Sequence, residues 1–287
     1  MPITSYDHQR RAARFSEQRW LVDAVLNVIG PEFDQNRLHY LSSPMTPEYR
    51  GAVLELQGRI KRFDDFAPEF AALARRFERQ AAGALVQGHA VTASDGFFAA
   101  SLMYGGAQWA IFENTDLNRA LEQKKGECFD RYIEGTDHHI ERVEIPYEDT
   151  SLPGYLHLPQ GYTGGTVPCV VMIHGMDVFK EAAIAGSADR FLRRGFACLV
   201  IDGPGQGSSL LRGTWYDPDK YGQVGASAID FLRTRAEVDA ERIMAWGLSF
   251  GSYWATQMAA ADARFAACAP RPRRSSTPSR PRWTCGP

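Results

Sequence analysis

The pentapeptide Gly247-Leu248-Ser249-Phe250-Gly251 is where residue types and spacing in this chain point to chemistry. It lies between a strand-like run, Arg242 to Trp246, and a helix-like run, Ser252 to Ala261. A serine on a sharp strand-to-helix turn presents its hydroxyl at the end of the strand. The flanking glycines let the turn tighten and the helix pack close, at positions where a Cβ would clash. A serine hydroxyl becomes a good nucleophile when a base takes its proton. The chemistry expected is attack on a carbonyl carbon, with Ser249 as nucleophile. A glycine-rich turn without chemistry is the bland alternative; the strand before it and the helix after it favour the functional reading.

Two other strings bear on that reaction. His174-Gly175-Met176 follows the apolar run Val167 to Ile173. Backbone N–H groups on such a loop cradle the oxyanion together with the N–H after the nucleophile. The expected donors are therefore the backbone N–H groups of Met176 and Phe250. His174 reads as a loop histidine that hydrogen-bonds its own turn rather than as the base, because it precedes the nucleophile strand. Asp202-Gly203-Pro204-Gly205-Gln206-Gly207-Ser208 follows the run Phe196 to Ile201. It lacks the G-K-[ST] of a phosphate loop and the G-x-G-x-x-G of a dinucleotide site, so Asp202 reads as a structural turn former, with a loop that edges the pocket as the lesser alternative. Lys180 and Asp177 read as solvated charges. No Cys/His group has metal-ligand spacing, so neither metal nor cofactor is expected. No histidine follows Ser249, and Asp262 is the one carboxylate after it. No acid or base is assigned.

The elements that must position these residues fall into two stretches. Residues 1–135 read as helical: about Arg11 to Ile29, a segment opened by Pro47, about Ala67 to Val86, Ser94 to Phe112, and Leu117 to Ile133. In the third, Phe70, Leu73, Ala74, Phe77, Ala81 and Leu85 follow the 3.6 period. Trp109, Tyr104, Phe97 and Phe98 read as core. Residues 136–269 change period. Strands are expected at Ile140 to Ile145, Leu152 to Leu158, Val167 to Ile173, Phe196 to Ile201 and Arg242 to Trp246, with another starting near Arg264. Helices are expected at Glu181 to Arg194, within Tyr216 to Arg235, and at Ser252 to Ala261. Short apolar strands alternating with helices imply a parallel sheet covered on both faces. Residues 270–287 hold five Pro, five Arg and no acidic residue, a composition expected to be disordered. They arrive with the sheet unfinished, as in a truncated product or an out-of-frame reading of the gene.

Composition limits the rest. A net charge of −2 over 287 residues gives no reason to expect a nucleic-acid partner. Neither an export signal nor a membrane span is legible, and the scattered cysteines read as buried small hydrophobes. A cytoplasmic protein is expected.

From about Arg59 to Ala269 the chain resembles the α/β-hydrolase group that contains FrsA-like esterases and 2,6-dihydropseudooxynicotine hydrolase. A fungal hydrolase that shortens a heptaketide in melanin synthesis is also similar. The strings that carry the resemblance are HGMDVFKE (174–181), FACLVIDGPGQGSS (196–209) and AWGLSFGSYWA (245–255), after a helical N-terminal region. The resemblance implies an α/β-hydrolase fold with an N-terminal helical cap. It also implies serine-dependent hydrolysis of a small carbonyl or ester substrate, by C–C cleavage beside a ketone or by ester cleavage, and a homodimer through the helical region. The family's acid follows the sixth strand and its histidine the eighth, and no residue here is carried over to either role. The alternatives are a catalytically dead truncated hydrolase that binds a ligand or an assembly partner, and a non-functional frameshifted product.

Overall fold

The computed structural model describes residues 5–33, 37–183 and 188–271. The first stretch is helical: α1 (Ser5–Ile29), α2 (Arg37–Ser42), α3 (Pro47–Leu54), α4 (Leu56–Arg59), α5 (Phe66–Val86), α6 (Ala90–Gln108) and α7 (Asp116–Ile133). Local chemistry sets several ends. Pro47 opens α3, where its missing N–H has no intrahelical acceptor to lose. Thr115 caps α7 by accepting from Asn118 N at 3.1 Å. The expected apolar face of α5 is buried at Phe70, Leu73, Ala74, Phe77 and Ala81, whereas Leu85, in the last turn, is exposed. α6 is buried along most of its length, Phe97, Phe98 and Tyr104 included, because α5 and α7 flank it. It stops at Gln108, short of the expected Phe112, and Trp109 leaves the helix to donate its indole N–H to Asp177 O at 2.9 Å.

From Ile140 the chain builds a sheet. Its strands are β1 (Ile140–Tyr147), β2 (Thr150–His157), β3 (Val167–Ile173), β4 (Ala197–Ile201), β5 (Val238–Leu248) and β6 (Ala267–Arg271). Four helices lie between or after them: α8 (Asp189–Leu192), α9 (Gly207–Leu211), α10 (Tyr221–Arg233) and α11 (Phe250–Ala261). The strand order is β1-β2-β4-β3-β5-β6. β1, β2 and β4 pair antiparallel in turn, and β4, β3, β5 and β6 run parallel. Both faces are covered, as the continuous apolar runs imply. Along β3, Cys169, Val171 and Ile173 pack with α10 and α11, while Val170 and Met172 point to the opposite face with Leu192 and Trp246. That alternation is the period of two of a strand. Burial of each such aliphatic side chain stabilises by about 1.5–3 kcal/mol.

Two expectations need correction or restriction. The helix expected from Glu181 to Arg194 is described only at its ends, as a 3₁₀ turn over Lys180–Ala182 and as α8, because residues 184–187 lie outside the described part. The disorder expected of 270–287 likewise concerns residues mostly outside the described part, although Pro270 and Arg271 close β6. Cys128, Cys169 and Cys198 are buried free thiols, whereas Cys268, on β6, is exposed. Among the described residues, no helix is long and apolar enough to cross a membrane.

Candidate active site

β5 runs directly into α11 through Ser249. The Ser249 backbone sits at φ 58°, ψ −126°. Among the described residues only Glu148 shares a positive φ without being glycine. The two glycines of the pentapeptide make this turn possible. A Cβ on Gly247 would collide with the Gly251 carbonyl, and one on Gly251 would lie 2.6 Å from His174 O. The start of α11 therefore presses against the end of β3. Ser252 locks the turn, donating its N–H to Ser249 O and its hydroxyl to Gly247 O, each at 3.0 Å. Ser249 itself is exposed.

The loop after β3 meets the serine. The position a Cβ would take on Gly175 is 3.2 Å from Ser249 Cβ and 3.5 Å from its Oγ. Met176 is the next residue, and its side chain points outward with 61% of its surface exposed. Neither Met176 nor Phe250 donates its N–H to another described backbone carbonyl. The Phe250 side chain joins an aromatic group of Tyr216, Tyr253 and Trp254, with ring centroids 6.5, 5.7 and 5.0 Å from its own. This aromatic group, partly exposed at Phe250, Tyr253 and Tyr216, follows the serine in the chain through Phe250.

His174 is buried, and neither ring nitrogen has a hydrogen-bond partner among the described residues. Its ring packs edge-on to Trp246, and its backbone carbonyl, not its ring, is the bonded group. Burial pushes its pKa down to about 4, against a lesser opposing pull from Asp202. Sequence reasoning expected its ring to bond the turn; in the structure it is a neutral, enclosed side chain. Asp262 is engaged by Arg264, whose guanidinium holds its carboxyl below the usual range. No described histidine or carboxylate hydrogen-bonds Ser249 Oγ.

Lys180 overturns its reading as a solvated charge. It is buried, with Nζ 3.1 Å from Asp202 Oδ2, 2.7 Å from Ser208 Oγ and 2.8 Å from Glu181 Oε1. Asp202, read as a turn former, is the hub beneath the loops. Its carboxylate also accepts from Lys180 N at 2.8 Å and Ser208 N at 3.0 Å. The network crosses to the helical region through Ser208, which donates to Glu122 on α7. Lys125, also on α7, lies 2.8 Å from Glu122 Oε2 and 3.3 Å from Glu181 Oε2, as an ion pair without hydrogen-bond alignment. Burial opposes ionisation of all these groups. At Lys180 the carboxylates of Asp202, Glu181 and Glu122 outweigh it and keep the ammonium protonated well above the usual lysine range. At Glu122 burial is likewise outweighed by Lys125 and Lys180, which hold the carboxyl far below the usual range. A cleft of about 480 Å³ opens at this joint, lined by Glu122, Asp130, Arg142, Ser208 and Arg212 among others, and none of its lining residues belongs to the serine turn. Among the described residues no group of three or more His, Cys, Asp or Glu side chains is disposed to hold a metal.

A sheet of this order with a glycine-flanked, positive-φ serine at the β5–α11 turn defines an α/β hydrolase. The chain belongs to the FrsA-like esterase family, whose model matches residues 62–270. It is 33% identical to hydrolase acrC of Aspergillus aculeatus over 205 residues, covering 64% of this chain and 47% of that protein. It is 31% identical to α/β hydrolase ucsC of an Acremonium species, covering 93% and 56% respectively. Identity to 2,6-dihydropseudooxynicotine hydrolase of Paenarthrobacter nicotinovorans is 29%, over 68% of this chain and 52% of that one. The crystal structure of the 2,6-dihydroxy-pseudo-oxynicotine hydrolase shares the fold, with a TM-score of 0.66 at 24% identity, over 81% of this chain and 63% of that one. The chain spans about half the length of the curated relatives it matches.

Proposed function

We propose that the chain carries the nucleophile and oxyanion site of a serine-dependent hydrolase acting on a small carbonyl substrate, an ester or a ketone cleaved at its neighbouring C–C bond. The observation that carries this reading is the backbone of Ser249, held at φ 58° beside Gly175. Strain of that kind persists only where the surroundings over-determine it, and it clusters at reacting groups. Ser249 Oγ would add to the carbonyl carbon while its proton passes to a base. The Met176 and Phe250 N–H groups would take the negative charge that develops on the carbonyl oxygen. Collapse expels the alkoxide or carbanion, which takes the proton the base received. Water then adds to the acyl carbon, the bond to Oγ breaks, and a proton from that water returns to Oγ as the acid leaves. His174 is not proposed as the base, because it is enclosed and resists protonation. The apolar wall of Phe250, Tyr253 and Tyr216 favours an uncharged substrate.

Reaction with a fluorophosphonate tests the reading. Ser249 Oγ displaces fluoride from phosphorus, and the serine proton passes to solvent. The expected result is one label per chain on the peptide containing Ser249, abolished in Ser249→Ala. A folded chain that takes no label at Ser249 would overturn the reading and leave a ligand-binding role.

A further inference from the structure

Gln206, in the loop after β4, is buried against the loop after β3, and all four hydrogen-bonding positions of its amide are engaged. Its Nε2 donates to His174 O at 3.0 Å and to Gly175 O at 2.9 Å. Its Oε1 accepts from Gly203 N at 3.0 Å and from Tyr221 Oη at 3.3 Å. An amide NH₂ has two hydrogens and its oxygen two lone pairs, so the arrangement fixes which end faces the loop after β3. Tyr221 is itself immobilised by a stacked contact with Trp254 of α11, at a centroid distance of 4.6 Å.

The two accepting carbonyls are consecutive. A trans peptide unit is planar, with its C=O and the following N–H pointing in opposite directions. Pinning His174 O and Gly175 O on one donor therefore turns the N–H groups of Gly175 and Met176 away from Gln206. Gly175 meets Ser249 with its Cα hydrogens, at the 3.2 Å approach described above. We infer that Gln206 is the positioning residue that sets the direction of the Met176 N–H at the serine site. The inference rests on the proposed oxyanion role of that N–H. Gln206 reaches no substrate; it acts through the Gly175–Met176 peptide plane. Gly175 O also accepts from Val178 N at 3.2 Å, so the oxygen edge of that plane is held twice, by Gln206 and from within the loop.

Two variants and two measurements test this. Gln206→Met keeps length and burial but offers no donor. Gln206→Glu places a carboxylate against two carbonyl oxygens. The first measurement is the Met176 amide resonance in a ¹H–¹⁵N spectrum, with its hydrogen-exchange rate. The second is the saturating rate of Ser249 labelling by a fluorophosphonate, together with the concentration giving half that rate. In both variants the Met176 amide is expected to shift and to exchange faster. The saturating labelling rate is expected to fall at least about tenfold, below the roughly 10²–10³-fold loss of an oxyanion donor removed outright. The half-saturating concentration should stay put, which separates positioning from loss of a binding surface. Tyr221→Phe removes only the longer bond to Oε1 and should lie between wild type and Gln206→Met. A Met176 amide unchanged in folded Gln206→Met would overturn the inference, as would a labelling rate within twofold of wild type. If the wild-type chain itself takes no label, the nucleophile reading falls separately, and the amide shift alone decides whether Gln206 holds the loop.

Discussion

At the serine turn, the chain is shaped by residues that lack side chains: Gly175, Gly247 and Gly251 let three backbones converge on Ser249, which stays exposed. At the joint between α7 and the strand ends, two lysines and three carboxylates do the shaping, and both lysines are fully buried. The two regions lie at opposite ends of one loop. His174 to Met176 belongs to the turn and Lys180 to Glu181 belongs to the joint, with Phe179 packed in the core of the helical region between them. The turn is therefore specified by local sterics, and its cost is strain at one residue. The joint is specified by long-range charge, and its cost is desolvation of five groups. The first arrangement places Ser249 at the surface. The second ties the helical region to the loop that lies beside it.

The joint should yield the larger loss. Lys180→Met removes the ammonium that faces Asp202, Glu181 and Ser208 and leaves buried carboxylates short of a partner. Breaking a buried pair in this way costs about 3–5 kcal/mol. Urea unfolding at pH 7 reads it directly, and Lys180→Arg, which keeps the charge, should lose less. A loss under about 1 kcal/mol for Lys180→Met would place the joint with ordinary surface ion pairs and end the contrast.

Acid should separate the regions in sequence. His174, beneath the turn, has its pKa lowered by burial to about 4, so the unfolded chain takes up the proton first as pH falls below about 6.5. Stability from this residue is full above about pH 6.5 and declines toward pH 4, by at most about 1.4 kcal/mol per pH unit. His157 on β2, lowered to about 3 chiefly by burial and secondarily by His138, adds a decline in the same direction. Glu122 at the joint is held below its unfolded value, so its contribution is intact above about pH 4.5 and fades only below that. Unfolding free energies at pH 7, 5.5 and 4.5 should fall stepwise, and His174→Asn should flatten the slope. An unchanged slope in that variant would remove His174 from the account.

The same contrast explains what could be read from the sequence. Gly247, Ser249 and Gly251 lie within five residues, and the strand and helix around them carry their own periods, so the turn is legible in the sequence. β3 was legible to its end residues, because Val167–Ile173 is a continuous apolar run bounded by Pro168 near its start and Gly175 just past its end. The joint was not legible. Glu122 and Ser208 stand 86 positions apart, and nothing local marks a lysine that will be buried. Lys180 therefore looked like any charge after a loop. Gln206 was in view within the glycine-rich string after β4, but its partners lie 31 and 32 positions earlier, and only the fold brings them together. α6 ends before the apolar pattern does, and Trp109, just past its end, bonds the distant Asp177 O, a partner that nothing local in the sequence marks.

The smallest effect isolates the strain at the turn. Ser249 occupies a backbone region in which a Cβ is disfavoured, and such strain is worth about 1–3 kcal/mol. Glycine enters that region without the steric penalty, but it gives the unfolded chain more freedom, which offsets about 0.5–1 kcal/mol. Ser249→Gly is therefore expected to stabilise the fold by about 1 kcal/mol while removing the proposed nucleophile. Ser249→Ala also removes the hydroxyl but keeps the Cβ, so its stability should stay within about 0.5 kcal/mol of wild type. Paired thermal and urea unfolding of the two variants distinguishes a strained residue from a merely exposed one. Equal stability of glycine and alanine at this position would mean that the turn relaxes freely, and that strain is not what presents the serine.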